Sequence, residues 1–217
     1  MRIYYDTEFL EDGHTVELIS IGMVAEDGCE LYAVNEEINA GPLHDRICKH
    51  RWLMENVVPS LPLRKSNGHG KHSSGVNAYS GYFFLDLDDN TVMPLRMIRN
   101  QVREFIQATP DVELWAWYAA YDHVALAQLF GRMIDLPDGV PMWTNDLRQE
   151  VHRLGNPELP EQADGVHNAL ADARHNLVLV QHLAELTKEA ARFARTTAGR
   201  TGTGVAPEDL HPGCAAK

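Results

Sequence analysis

Arg2-Ile3-Tyr4-Tyr5-Asp6-Thr7-Glu8-Phe9 is an apolar run that closes on two acids one residue apart. Read as a β-strand, it sends alternate side chains to one face, so Asp6 and Glu8 point the same way with Cα atoms ~7 Å apart. Two carboxylates that near repel each other. A divalent cation between them is the simplest remedy, because hard oxygen donors suit Mg²⁺ or Mn²⁺. The plainer alternative is a strand running out into a polar turn. What weighs between the two is the rest of the chain, which supplies further acids and a histidine.

Outward from this strand, Glu11-Asp12-Gly13-His14 reads as a polar turn and Val16 to Ala25 as a second, β-branched strand. Glu26-Asp27-Gly28 turns the chain again into Glu30-Leu31-Tyr32-Ala33-Val34, which predicts a three-stranded antiparallel meander. A helix is expected from Leu43 to Val58, with Ile47, Trp52, Leu53 and Val57 on its apolar side, ended by Pro59 and Pro62. Arg64 to about Tyr79 is rich in Lys, Ser, Asn, Gly and His and suits a solvated loop, part of a polar insertion over about 64–90. His69 and His72 lie there, in Gly/Ser surroundings that seldom preorganise metal ligands. Tyr82 to Leu85 reads as a short strand. Asp86, Asp88 and Asp89 read as a polar turn, lacking the downstream Gly and Glu of an EF-hand.

Ile98, Val102, Phe105 and Ile106 recur at helical spacing and predict a helix from Leu95 to Ala108, broken by Pro110-Asp111. Val112 to Trp117 is the next strand, feeding a helix from Ala119 to Phe130. Thr144 can cap a helix reaching Leu154. The last helix is expected over Asn168 to Phe193, with Ala169, Ala173, Leu177, Val180 and Ala184 as one face. A Thr/Gly/Ala/Pro-rich tail over 196–217 is expected to be disordered, leaving one domain over 1–195.

Composition sets the outer limits. With 217 residues, 44% of them hydrophobic, the chain can bury a core. Its formal charge of −12 argues against a protein that coats long nucleic acid through a basic face, so any nucleic acid must be gripped locally. Cys29, Cys48 and Cys214 are odd in number and lack Cys-x-x-Cys spacing, which suggests neither a disulfide framework nor a zinc site and fits a reducing, cytoplasmic compartment. No run approaches the ~20 apolar residues of a membrane span, and the start of the chain lacks the apolar core of a signal peptide.

Three more residues complete a candidate site. Asp122 stands where a strand feeds a helix, the edge at which α/β sheets collect ligands, although an acid in that place also serves simply as a helix-start residue. In His167-Asn168-Ala169-Leu170-Ala171-Asp172, five helical steps turn ~140°, so His167 and Asp172 share no helix face. The spacing works if His167 sits in the loop before the helix and leans over a site that Asp172 lines from within it. Taken singly, they read as a loop histidine and a solvated helix residue.

Asp6-Thr7-Glu8, Tyr121-Asp122 and His167-x4-Asp172 resemble, in order and separation, the three motifs of the DEDDh 3′→5′ exonucleases. Within that family, Tyr5 to Phe9, Glu17 to Gly22, Glu113 to Trp117 and Ala120 to Leu126 resemble the actinobacterial polyadenylate-specific exoribonucleases. The resemblance implies a ribonuclease H-like α/β fold, a central mixed five-stranded sheet, three strands antiparallel and then parallel strands, flanked by helices. It also implies two Mg²⁺ ions, for which Mn²⁺ can substitute. Asp6 would bridge them, Glu8 and Asp172 would hold the nucleophile-side ion, Asp122 would support the second, and His167 would take the proton of the attacking water. The implied substrate is the 3′ end of single-stranded RNA, adenylate-rich, and the implied assembly is a homodimer. Phe9 and Leu18 are candidates to pack on the terminal base. Tyr118 stands where many members carry an Asn, so it is a candidate substrate contact. A general exonuclease on DNA or short oligoribonucleotides, and a non-cleaving RNA- or protein-binding domain, are the alternatives.

Overall fold

The computed structural model describes residues 1–65, 76–77 and 81–200. His69, His72 and most of the predicted polar loop lie outside these residues, as do 201–217 of the predicted tail. The chain forms two compact units, Met1–Val180 and Gln181–Lys217. The first holds the entire sheet. In the second, the described residues are helical, with Lys188 paired to Glu185 at 2.8 Å.

Strands β1 (Arg2–Glu11), β2 (Val16–Ala25) and β3 (Glu30–Asn35) form the predicted antiparallel meander. Its turns are closed by local chemistry. Asp12 Oδ1 accepts from the N–H groups of His14 and Thr15 at 3.0 and 2.9 Å, and Asp27 Oδ1 accepts from Cys29 N at 2.9 Å. Side chains of β1 and β2 are buried on both faces, which explains why these strands read as nearly continuous apolar runs.

The predicted helix over Leu43–Val58 is two helices, α1 (Pro42–Lys49) and α2 (Arg51–Asn56), followed by a 3-10 turn at Val58–Ser60. His50 breaks it. Its extended backbone ends α1, and its Nδ1 accepts from Leu53 N at 3.3 Å as a cap for α2. Ile47, Leu53 and Val57 are buried as expected, but Trp52 is 47% exposed. The break turns it away from the core.

The far end of the polar insertion is apolar where it matters. Strands β4 (Val76–Asn77) and β5 (Tyr82–Phe83) pair antiparallel, and Phe83 and Leu85 are buried against Ile38, Ile47 and Leu53. Strand β6 (Val92–Met93) joins the main sheet beside β3, before helix α3 (Leu95–Gln107). Ile98, Val102 and Ile106 of α3 pack on one sheet face together with Ala125 and Leu126 of helix α4 (Ala119–Gln128). Strand β7 (Glu113–Ala116) runs parallel to β1, and β8 (Asn145–Asp146) runs parallel to β7.

Among the described residues the main sheet therefore has six strands in the order β6-β3-β2-β1-β7-β8, where five were expected. The two edge strands are two residues long, too short to show alternation in a sequence. It is a mixed sheet flanked by helices, compatible with a ribonuclease H-like fold. Helix α5 (Leu147–Arg153) is capped by Asp146, whose Oδ1 accepts from Arg148 N at 2.8 Å, and not by Thr144. Thr144 instead meets the hydroxyl of Tyr5 at 2.6 Å and His123 Nδ1 at 3.0 Å.

Helix α6 (Ala169–Arg200) extends past the predicted Phe193. Its buried residues in the first unit are Ala169, Ala173, Asn176 and Leu179, whereas Leu177 and Val180 are half-buried and Ala184 is exposed. The buried face is rotated because it includes a polar residue that an apolar pattern passes over. Asn176 Nδ2 donates to the carbonyl of Tyr5 at 3.2 Å. No described helix is long and apolar enough to cross a membrane.

Candidate active site

Beyond Tyr4, β1 outruns β7 and loses its parallel partner. The N–H of Thr7 is taken up by Asp122 Oδ1 at 2.8 Å, and the Thr7 hydroxyl adds a second bond to the same oxygen at 2.7 Å. Asp122 can reach there because Tyr118, with φ of 56°, turns the chain sharply between β7 and α4 and leaves Asp122 in the first helical turn. Both Thr7 and Asp122 are buried.

On the other face, Asp6 and Glu8 point together, as strand alternation requires. The residue opposite Asp6 on β2 is Gly22. A Cβ there would stand 2.3 Å from the backbone of Ala169 and Leu170, so the start of α6 rests directly on the strand. That close approach brings Asp172, three residues into the helix, beside Glu8. Ligand atoms of Glu8, His167 and Asp172 all lie within 4.8 Å of one another, a spacing that can hold a metal ion. Asp6 and Asp122 line the same pocket without belonging to that tight trio.

His167 lies in the turn before α6, as its spacing predicted, with a left-handed φ of 66°. Its N–H donates to Asp172 Oδ2 at 3.0 Å, and Gln162 Nε2 donates to Asp172 Oδ1 at 2.6 Å. Its ring meets Trp52 edge-on, with centroids 4.7 Å apart.

These groups surround a pocket of about 600 Å³. Phe9 and Tyr118 line it, and Phe9 stacks on Tyr121 with centroids 6.0 Å apart. Leu18 does not line it. It is buried one strand further in, beside Leu43, Leu95 and Leu129 at a separate cavity of about 420 Å³. Sequence reasoning missed Trp52, Trp117, Tyr121, Gln162 and His175, all in the pocket wall. His175 was findable, since it follows Asp172 by three residues on one helix face. Gln162 carried no signal, because nothing in its loop shows periodicity.

Burial dominates the electrostatics. It pushes the Glu8 carboxyl up to about 8, with Asp172 and Asp122 adding repulsion. Burial likewise pushes Asp122 up to about 7, against the pull of its bonds from Thr7. Asp6 is raised well above the carboxylate range by burial, then by Asp122, Glu8 and Asp172. Burial raises Asp172 too, opposed by the donors Gln162 and His167 N–H. Four acids held above their ordinary range in one pocket form a donor set that fits divalent cations, which bind deprotonated hard oxygens and offset such repulsion.

Residues 77–184 match the family described as the 3′-5′ exoribonuclease Rv2179c-like domain. That range includes Asp122, His167 and Asp172. Two proteins of Mycobacterium tuberculosis are similar over most of their length, the 3′-5′ exoribonuclease Rv2179c of strain H37Rv and the 3′-5′ exoribonuclease MT2234.1 of strain CDC 1551. Each is 42% identical over 179 residues, which cover 82% of this chain and 89% of the relative.

Proposed function

Because the chain belongs to the Rv2179c-like 3′-5′ exoribonuclease family, we propose that its acidic pocket hydrolyses RNA stepwise from the 3′ end and releases nucleoside 5′-monophosphates. The observation that carries this reading is the convergence of Asp6, Glu8, Asp122, Asp172 and His167 on one aromatic-walled pocket. It is the arrangement expected of a DEDDh enzyme with its catalytic domain within residues 1–195.

The four carboxylates would hold two Mg²⁺ ions, or Mn²⁺ in their place. When bound, such a pair supplies a water of lowered pKa and stabilises the departing 3′-oxygen. The chain's own residues do the rest. His167 accepts the proton of the attacking water on its imidazole, the side chain most often used as a general base. Asp172 orients His167 through the 3.0 Å bond to its backbone N–H. Thr7 fixes Asp122 through two bonds and keeps its carboxyl closer to the ionised form.

Phe9, Tyr118 and Tyr121 offer π-faces for the terminal bases, and stacking of this kind tolerates every base. The resemblance to polyadenylate-specific enzymes is what supports a preference for adenylate. The same resemblance supports a homodimer, and the cysteine content supports a reducing cytoplasm.

One incubation tests the proposal. Purified protein with Mg²⁺ is given equal amounts of poly(A), mixed-sequence RNA and single-stranded DNA, and the products are identified. Release of 5′-AMP from the 3′ end of poly(A), faster than from the other two and abolished by chelator, is expected. Equal rates on all three establish a general exonuclease instead, and three intact polymers establish a binding domain.

A further inference from the structure

The backbone of His167 adopts a conformation that a residue with a Cβ disfavours, and such a conformation persists only where its surroundings over-determine it. Here they do so from two distant parts of the chain, joined through the neighbouring Asn168. The Ser60 hydroxyl, in the 3-10 turn after α2, lies 2.7 Å from the carbonyl oxygen of His167 and 2.8 Å from that of Val57, one proton serving both. Asn168 donates from Nδ2 to the carbonyl of Ser60 and to the hydroxyl of Tyr32 on β3, both at 3.2 Å. Its Oδ1 accepts from Ala171 N at 3.1 Å and so caps α6. Ser60, Asn168 and Tyr32 do not line the acidic pocket. Their bonds reach it through the backbone of His167 and through the first turn of α6.

We propose that Ser60, Asn168 and Tyr32 are positioning residues that clamp the left-handed turn at His167, presenting its imidazole to Glu8 and Asp172 with the ring in edge contact with Trp52. This rests on His167 as proton acceptor in the proposed reaction. A merely structural role predicts something different. The bonds would then add to folding stability, and the folded variants would turn over normally.

Ser60→Ala and Tyr32→Phe each delete one polar atom, and Ser60→Thr keeps the hydroxyl. With oligo(A) and saturating Mg²⁺, well below the unfolding midpoint, kcat of the two deletions is expected to fall about tenfold or more while KM stays within about twofold. Ser60→Thr is expected to recover most of the loss. A second readout needs neither metal nor activity. In histidine-selective ¹H–¹⁵N NMR in EDTA, the His167 ring resonances, identified by their absence from His167→Ala, feel the nearby Trp52 ring and should move toward those of a free histidine in Ser60→Ala. Folded deletions with wild-type kcat overturn the proposal, and so does a lowered kcat with unmoved His167 resonances. A wild type that degrades no RNA would sink the proposed function, while the resonances would still decide the clamp.

Discussion

Gly22→Ala is the substitution that asks most of this architecture. The added methyl would meet the backbone of Ala169 and Leu170 at 2.3 Å, where ordinary contact begins at 3.4 Å. Backbone cannot swing aside as a side chain does, so the first turn of α6 must retreat from β2 by about 1 Å. Asp172 rides on that turn and His167 immediately precedes it, while Asp6 and Glu8 stay on β1. A misplacement of ~1 Å at a reacting centre costs on the order of 10²-fold in rate, and overpacking of this kind costs about 1–3 kcal/mol in stability. The assay pairs single-turnover rates on oligo(A) with urea unfolding. Gly28→Ala is the control. Its added methyl meets nothing within 4 Å, but its φ of 88° strains any side chain, so it should lose stability without losing rate. A Gly22→Ala protein within about twofold of the wild-type rate would refute the claim that this contact sets the site.

Thr7→Val removes one of the two bonds to buried Asp122, and a bond to a charged group is worth about 1.5–3 kcal/mol. The loss should be larger at pH 8 than at pH 5, because it is the ionised carboxylate that the hydroxyl stabilises, and the pH–rate profile should shift upward; equal losses at both pH values would contradict this. His167→Ala should lose ~10²- to 10⁴-fold in turnover while Mg²⁺ still raises its melting temperature. If the Mg²⁺ shift vanishes instead, His167 is a metal ligand. In chelator, the folded state holds protons on Glu8 and Asp122 up to about 8 and about 7, well above the ordinary 4.5 and 3.8 at which the unfolded chain releases them. The stability these two carboxyls contribute is therefore fully present below pH ~4 and is lost as pH rises toward 8, by on the order of 4 kcal/mol per carboxyl, whereas Mg²⁺ should flatten the curve. Denaturant midpoints that do not change between pH 5 and 8 would show that these acids are not held protonated.

The meander whose first strand carries Asp6 and Glu8 was legible because apolar runs, β-branching and two Asp-Gly turns coincide along 34 residues or so. His167 and Asp172 were legible from the resemblance of His167-x4-Asp172 to a family motif, and their spacing was consistent with one in a loop and the other in a helix. What escaped did so for definable reasons. Trp52 looks like core in a helical projection, and only the extended backbone of His50 turns it toward the pocket. Thr144 looks like a helix cap, but Tyr5 and His123 engage its hydroxyl. Leu18 faces Phe9 across β1 and β2, and a register shift at Glu8/Phe9 is invisible to pattern reading. The face of α6 was misjudged because Asn176 is buried for a hydrogen bond.

The pairing of β1 also has a consequence in time. Its antiparallel partner β2 follows at once, but its parallel partner β7 begins only at Glu113, about 100 residues later. At ~5–20 residues per second of synthesis, one long apolar flank of the first hairpin stays bare for roughly 5–20 s on the ribosome. The strand that ends in the acids is thus the segment a nascent chain most needs shielded from its neighbours, and the two-residue strands that border the finished sheet leave little for another chain to pair with once folding is complete.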